Sequence, residues 1–285
     1  MQEFAERSIF KEYNKTIWSK LHKAIKEYRL IQQGDRIAVC ISGGKDSMLM
    51  AKCLQLLERQ GFCGVSCEYI VMDPGYSSAN LEKIVSNAEA LGIAIKVYST
   101  RIFESTEKAG KHPCFLCARL RRGWLYKKAQ ELGCNKIALG HHFDDVIETI
   151  LMGMLYGSQV QTMMPKLHSE NYAGVQVIRP LYLIREKDII SWGKENGLEF
   201  IRCACRVTEK KGEGSSKRGK VKELLAELRK SDPAIDMNIF RSVENVNLQT
   251  LISYHSGDEY HSFHEAFDEG LTLKGKKQGQ QNTAE

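Results

Sequence analysis

Short apolar runs alternate along the chain with segments whose apolar residues recur every three or four positions. The run at 37–41 is rich in β-branched residues without polar alternation, which is typical of a strand buried on both faces of a parallel sheet. Further strands are predicted at 65–72, 93–98, 136–142 and 175–181. The segments between them have helical spacing, and glycines close most of them. This alternation predicts an α/β protein with a doubly wound parallel sheet, whose ligands bind beyond the carboxyl ends of the strands.

The same pattern predicts how the rest of the chain is organised. Apolar residues from Ile9 to Leu30 have the spacing of one amphipathic helix, which we expect to pack on the core from outside. Helical spacing returns at 217–228 and 237–251. We predict an N-terminal helical segment, a main domain, a basic helical region and a polar tail disordered at its end, with bounds 1–33, 34–205, 206–256 and 257–285.

Positive charge is concentrated in one part of the chain. The 285 residues carry a net charge of +6, and residues 206–230 hold nine lysines or arginines against four glutamates. Together with Arg119, Arg121 and Arg122, this stretch predicts a polyanionic partner, the alternative being a solvated helix face. The chain has no apolar run of 18 residues and no signal-peptide pattern at its N-terminus, so we expect a cytoplasmic protein without membrane contact. In that compartment its nine cysteines favour metal or reactive-sulfur chemistry over disulfides.

The first predicted strand runs directly into the segment Ser42-Gly43-Gly44-Lys45-Asp46-Ser47. The two glycines allow a tight turn with bare backbone N–H groups, Asp46 and Ser47 can cap the following helix, and Lys45 adds a full charge for a phosphate. A Walker A loop would need Ser or Thr after Lys45, where this chain has Asp46. The segment instead resembles the PP-loop of the ATP-pyrophosphatase families, which cleave ATP between the α- and β-phosphates and adenylate a substrate.

Other polar residues follow later strands at the same predicted sheet edge. Asp73 ends the second strand, where its alternative role is that of a turn residue before Pro74. Gly140 and His141 end the fourth strand, and Asp145 lies in the first turn of the next helix, where acids also favour the helix dipole. We predict that these residues join the loop in a nucleotide site.

A Cys-x-x-Cys pair, Cys114 and Cys117, precedes the three arginines. Two thiols one helical turn apart can hold one metal ion or iron–sulfur cluster. On its own the pair leaves open half of a zinc site, a redox dithiol or two buried cysteines.

Taken together, the loop, the Cys-x-x-Cys pair with its arginines, Gly140-His-His-x-Asp-Asp and a late cysteine after Arg179-Pro-Leu are similar to the tRNA 2-thiocytidine synthetase family (TtcA). The resemblance runs from about residue 31 to 205. It implies an enzyme that uses ATP and Mg²⁺ to adenylate a tRNA pyrimidine oxygen and replaces that oxygen with sulfur from a 4Fe-4S cluster. The cluster ligands it implies are Cys114, Cys117 and Cys203.

The site residues predicted on this basis have distinct roles. We predict Lys45, Asp46 and Asp145 as catalytic residues. The nucleotide-binding residues predicted are Ser42, Gly43, Gly44, Lys45, Asp46, Ser47, Asp73, Gly140 and His141. The expected partners are tRNA and a sulfur donor, either a cysteine desulfurase or free sulfide, and a homodimer is left open.

Three departures from the family pattern keep two alternatives open. The late cysteines are spaced Cys203-x-Cys205, Arg206 follows them in place of a Gly-Ser segment, and Phe143 occupies a position expected to be basic. One alternative is a PP-loop enzyme that inserts or removes sulfur on another nucleobase or metabolite. The other is a non-catalytic RNA-binding protein with a four-thiolate zinc site made of Cys114, Cys117, Cys203 and Cys205.

Overall fold

Six short strands form the central sheet of the fold. They are β1 (Arg36–Ile41), β2 (Ser66–Asp73), β3 (Lys96–Ser99), β4 (Lys136–Ala138), β5 (Lys166–His168) and β6 (Gln176–Ile178). Their order across the sheet is β3–β2–β1–β4–β6–β5, and every neighbouring pair is parallel except β5 and β6. The structure is a computed structural model that describes residues 1–107, 113–201 and 216–269. It confirms the predicted doubly wound sheet, whose strand order reverses direction between β1 and β4.

Helices cover both faces of this sheet. They are α1 (Gln2–Phe10), α2 (Ser19–Glu27), α3 (Lys45–Arg59), α4 (Ser78–Ala90), α5 (Ile102–Glu107), α6 (Pro113–Glu131), α7 (Phe143–Gly157), α8 (Glu186–Glu195) and α9 (Lys217–Ser231). Alternate residues of β1 enter two separate cores, because successive side chains of a strand point to opposite faces. Ile37 and Val39 pack with α1–α4 and α8, whereas Ala38 and Cys40 pack with α6. Over the described ranges, no helix is both long and apolar enough to span a bilayer.

The N-terminal segment differs from the single helix predicted over Ile9–Leu30. Helix α1 begins earlier and ends at Phe10, and a wide turn over Asn14–Trp18 precedes α2. In this turn the Trp18 backbone N–H donates to the carbonyl of Tyr13, five positions earlier, instead of four as in an α-helix. The Asn14 side-chain amide donates to the Phe10 carbonyl at 3.1 Å. A side chain that bonds the backbone locally in this way competes with the regular helix. Both helices nevertheless bury apolar residues in the core.

A buried ion pair joins the start of β1 to the start of β4. The Lys136 ammonium lies 2.6 Å from the Asp35 carboxylate, and both side chains are almost fully buried. Asn135 reinforces the junction, since its amide bonds Asp35 and its carbonyl oxygen accepts from the Arg36 backbone. Two strands about a hundred positions apart in the chain are thereby aligned at the centre of the sheet.

The chain divides into two compact units, of which the first ends at Pro233 and includes α9. The second contains α10 (Ile235–Ser242), a hairpin of β7 (Ser253–Ser256) and β8 (Glu259–Ser262), and α11 (Phe263–Asp268). The helix predicted over 237–251 ends at Ser242, so the prediction was wrong beyond that residue. The hairpin turns at Gly257, whose positive φ of 64° suits glycine, and Tyr254 stacks on His261 across the strands. The predicted disorder at the end of the tail concerns residues 270–285, which lie outside the described part.

Candidate active site

The loop between β1 and α3 forms the floor of the candidate site. Gly44 is the N-cap residue of α3, in extended conformation (φ −81°, ψ 161°), and no side chain caps that helix. The prediction that Asp46 and Ser47 cap α3 was therefore wrong, because the helix already begins at Lys45. Ser47 instead braces the loop from inside, accepting a bond from the Ser42 backbone and donating one to the Gly44 carbonyl. An uncapped helix N-terminus offers its free N–H groups to an anion.

Gly43 is required at its position for two physical reasons. Its φ of +82° lies in the left-handed region, and a Cβ built there would come within 2.5 Å of Ile84 and 2.8 Å of Ile201. The Ile201 backbone N–H also donates to the Gly43 carbonyl at 3.3 Å. The loop is thus packed between α4 and the segment that ends at residue 201.

Replacing Gly43 with alanine should therefore destabilise the protein and weaken ATP binding. We expect a loss of about 2–4 kcal/mol in the free energy of unfolding, from left-handed strain and overpacking together. Gly34→Ala is the matched control, because Gly34 has a similar φ of +76° but open space around it. Urea unfolding and nucleotide titration of both variants check this expectation, and equal losses in the two would contradict the packing argument.

Gly140 brings the end of β4 against the first turn of α3. A Cβ on Gly140 would lie only 3.0 Å from the Ser47 nitrogen and 3.1 Å from the Asp46 carbonyl carbon. Backbone atoms cannot move aside as a flexible side chain can, so only glycine allows this close approach. The segment after β4 and the loop after β1 therefore meet at Gly140, where the strand order of the sheet reverses.

Lys45 is held between two carboxylates. Its ammonium lies 2.9 Å from Glu186 and 3.2 Å from Asp46, and its side chain is about one-quarter exposed. Burial acts to lower the pKa of Lys45, but the two carboxylates outweigh it and raise the pKa. The lysine is therefore fully charged and poised beside the loop. Glu186, at the first position of α8, was not predicted as a site residue.

Both predicted catalytic acids, Asp46 and Asp145, lie close to His142. The Asp46 and Asp145 carboxylates lie 3.6 and 3.5 Å from its Nε2 atom. His142 also caps α7, because its Nδ1 accepts from the Asp145 backbone, and this leaves the ring proton on Nε2. One oxygen of Asp46 is buried and makes no hydrogen bond within the described residues. Burial raises the pKa of Asp46, although His142 and Lys45 oppose that effect.

His141 is half-buried in the site and kept neutral. Burial and the neighbouring Arg179 guanidinium lower its pKa to about 4. The Arg179 Nε–H donates to His141 Nδ1 at 3.3 Å, so a neutral ring carries its proton on Nε2. Arg179 was quoted in the sequence only as part of Arg-Pro-Leu, yet it is itself a site residue.

Asp73 has a well-defined structural role. One of its carboxylate oxygens accepts the backbone N–H groups of Gly75 and Tyr76, at 2.8 and 2.7 Å. This arrangement closes the turn after β2, which is the alternative that the sequence left open. Its part in nucleotide binding stays a prediction.

These elements enclose an open cleft of about 650 Å³. Its lining comes from β1 and the loop after it, the segment after β4, the strands β2, β5 and β6, and the helices α6 and α7. The predicted site residues on its wall are Ser42, Asp46, Ser47, Gly140, His141 and Asp145; α6 contributes Ala118, Arg121, Arg122, Leu125 and Tyr126. The Arg121 guanidinium donates to the Tyr76 hydroxyl at 2.9 Å, which fixes that wall to the turn after β2.

The predicted cluster ligands are only partly within the described chain. Cys114 and Cys117 belong to the first two turns of α6, and the positions four residues further on, Ala118 and Arg121, line the cleft. Cys203 lies outside the described residues, as does Cys205, but Ile201 bonds the phosphate loop. In the ranges that the structure describes, no three His, Cys, Asp or Glu residues are grouped as for a metal ion.

Some basic residues of helix α9, in the predicted basic stretch, form ion pairs with acids of the main unit. Arg218 pairs with Glu148 at 3.0 Å and approaches Asp145 at 3.6 Å, while Lys222 lies 3.7 Å from both Glu148 and Glu186. These charges are therefore engaged with acids beside the cleft and are not wholly a solvated helix face. Further along α9, Arg229 binds the buried Asp144 at 2.6 Å.

Phe143, at a position where a basic residue was expected, is buried beneath a cation. The Arg185 guanidinium carbon lies 5.0 Å from the centre of its ring. Arg185 also pairs with Asp144 at 3.4 Å. A positive group therefore reaches this place from the N-cap position of α8.

Comparisons with known proteins agree with this arrangement. The model of the PP-loop domain family matches residues 13–205. A tRNA-cytidine(32) 2-sulfurtransferase of Geobacter metallireducens is 36% identical over 245 residues, covering 85% of this chain and 93% of that protein. The Coxiella burnetii (CbuG_Q212) protein of the same name is 35% identical, with 86% and 94% covered.

Among solved structures, the chain resembles the U34-tRNA thiolase NcsA from Methanococcus maripaludis, which was solved with its 4Fe-4S cluster. The TM-score is 0.63 at 23% identity, and the match covers 79% of this chain and 76% of that one. At this identity the likeness concerns the fold.

Proposed function

Since the chain belongs to the PP-loop domain family, and within it to the family of the tRNA-cytidine(32) 2-sulfurtransferases, we propose that it is an ATP-dependent tRNA sulfurtransferase of the 2-thiocytidine type. The observation that carries the proposal is the composition of the cleft. The loop between β1 and α3 lines the same space as α6 residues from Ala118 onward, which directly follow the Cys-x-x-Cys pair. Activation by ATP and delivery of sulfur therefore have a common site, in the cytoplasm where tRNA is modified.

ATP is bound with its phosphates on the loop and on the N-terminus of α3. Lys45 exchanges its carboxylate partners for phosphate oxygens. The pyrimidine oxygen of tRNA attacks the α-phosphorus, and the bond to the β-phosphate oxygen breaks, releasing pyrophosphate. Sulfide then adds at the activated carbon, and the former pyrimidine oxygen leaves with AMP. Backbone N–H groups and Lys45 stabilise the charge that develops on the phosphates.

The two acids facing His142 suit Mg²⁺. Asp46 has a buried oxygen without a hydrogen bond in the described chain, and the Asp145 carboxylate approaches the same imidazole nitrogen. Mg²⁺ is commonly bound by one or two carboxylates together with substrate phosphates and water. Asp46 and Asp145 would hold the ion, which would neutralise the departing pyrophosphate.

The thiols suit an iron–sulfur cluster. Cys114 and Cys117 are one turn apart at the start of α6, where the helix dipole favours thiolates, and Arg121 adds positive charge one turn later. Cys203 is two residues from Ile201, whose N–H donates to the Gly43 carbonyl, so the two Cα atoms can be at most roughly 7 Å apart. Cys114, Cys117 and Cys203 would hold the 4Fe-4S cluster, whose fourth iron would accept sulfide from a desulfurase or from solution.

Product analysis tests this function directly. The protein is purified anaerobically and incubated with unmodified tRNA, ATP, Mg²⁺ and sulfide, and the tRNA nucleosides and nucleotide products are then analysed by mass spectrometry and chromatography. We expect a thiolated cytidine, with AMP and pyrophosphate released in proportion to it. Release of ADP and phosphate, or a colourless protein containing one zinc ion and no thiolated nucleoside, would contradict the proposal.

A further inference from the structure

An exposed apolar patch covers the end of α7 and the loop that follows it. We call it the rim patch, and its members are Met154, Leu155, Tyr156, Val160 and Met164. Each is between 42% and 60% exposed, although all are large hydrophobic residues within eleven positions of the chain. Contiguous exposed apolar residues of this kind mark a binding surface more often than a bare protein surface.

The backbone of the rim patch is held in place. The chain leaves α7 at Ser158, which has a left-handed φ of 53°, and the Gln159 N–H donates back to the Gly153 carbonyl. A Cβ on Gly153 would lie 2.9 Å from the Gln159 carbonyl oxygen, so glycine permits the loop to fold onto the helix. The apolar side chains are therefore presented outward from a closely packed backbone.

Two buried side chains hold this loop, and one of them, Arg179, also lines the cleft. Arg179, which holds His141, also donates to the Met164 carbonyl. The Tyr182 hydroxyl donates to the Met163 carbonyl at 2.8 Å. A molecule bound at His141 would therefore lie beside the Met164 end of the rim patch.

Positive charge flanks the patch. The Lys217 ammonium lies 5.1 Å from the centre of the Tyr156 ring, within cation–π distance. In the described part of the chain neither Lys217 nor Lys220 has an ion-pair partner, whereas Arg218 and Lys222 of the same helix face the acids inward. Helix α9 thus neutralises the acids on one side and presents lysines on the other.

We propose that the rim patch binds the unpaired bases next to the target nucleotide of the RNA, with Tyr156 as the stacking platform and Lys217 and Lys220 near the phosphates. This inference rests on the proposed function, because a single nucleotide that enters the cleft must leave its neighbours at the rim. Aromatic and apolar side chains beside lysines are what single-stranded RNA loops require. A second copy of the chain is a poorer occupant, since a two-fold contact centred here would bring like-charged lysines together.

The test compares two RNAs and three variants. The probes are an anticodon stem-loop with 2-aminopurine beside the target cytidine and a blunt duplex of the same stem. Tyr156→Ala should bind the stem-loop about tenfold more weakly with an unchanged salt dependence, lose the 2-aminopurine quenching, and bind the duplex as the wild type does. Tyr156→Phe should restore binding. Lys220→Gln should instead weaken both RNAs and reduce the salt slope.

Other outcomes would overturn the inference. If Tyr156→Ala lost affinity equally for both RNAs, or lost none for the stem-loop, Tyr156 would not be a stacking platform. A change from dimer to monomer in Tyr156→Ala, measured by sedimentation, would assign the patch to a second copy. Retained ATP affinity verifies that the variant is folded. If the wild-type protein bound neither RNA, the proposed function would fail together with this inference.

Discussion

Lys45→Ala is expected to reduce the release of AMP and pyrophosphate by a factor of about a hundred to a thousand. The loop would keep its backbone N–H groups but lose its lysine charge. The fold should persist, with the free energy of unfolding lower by about 1–2 kcal/mol, because Asp46 and Glu186 would lose their shared cation. Single-turnover product analysis and urea unfolding measure the two effects separately.

Lys23→Ala is the matched control for this substitution. Lys23 also pairs with a carboxylate, Glu27, but on an exposed helix surface away from the cleft. It should leave turnover unchanged and alter stability by less than about 0.5 kcal/mol. A Lys45→Ala enzyme that keeps most of its turnover would show that phosphate binding does not depend on this lysine.

Cys114→Ser, Cys117→Ser and Cys203→Ser are each expected to lose the iron and the thiolation activity. A serine hydroxyl cannot replace a thiolate as a cluster ligand in this setting. Cys203 is the predicted third ligand, and Cys205→Ser should therefore keep its iron. Iron content, visible absorbance and nucleoside analysis of anaerobic samples provide the measurement.

The competition between the two late cysteines has several distinguishable results. Cys203 and Cys205 are only two positions apart in the chain, so either thiolate could reach the same iron. Loss of iron only in Cys205→Ser would reassign the ligand, and retention in both single variants would mean that they substitute for each other. Iron in the double variant would refute the three-cysteine model. Cys63→Ser, at a half-buried cysteine outside the motif, is the control that should keep its cluster.

The local parts of this architecture could be predicted from the sequence. The run from Ile37 to Ile41, followed by two glycines, has few conformations other than a buried strand and a tight turn, and β1 was placed within one residue. Because parallel strands end at one edge, the motif at Gly140 was also predicted to lie beside the phosphate loop, and the cleft brings them together. The roles of these residues in binding and catalysis stay predictions.

The parts that were missed depend on contacts between distant segments. Glu186 begins a helix 141 positions after Lys45, and nothing in its local sequence indicates an ion pair with the loop. Arg179 is inconspicuous because one arginine after a short strand is ordinary. The break after Phe10 was hidden because the apolar spacing continues through the wide turn. The hairpin at Gly257 was missed because each of its strands has a single tyrosine among polar residues, which is too little for a pattern of hydrophobic alternation.

The ion pair between Asp35 and Lys136 also has a consequence for synthesis on the ribosome. Strands β1, β2 and β3 emerge first and can pair with one another. One edge of β1 stays unpaired until roughly a hundred further residues have been synthesised and β4 emerges. Until then Asp35 has no lysine to neutralise it, and the phosphate loop exists without Gly140, His141 or Asp145 beside it. A nascent chain stopped before β4 should therefore carry the complete loop motif and still lack the nucleotide cleft.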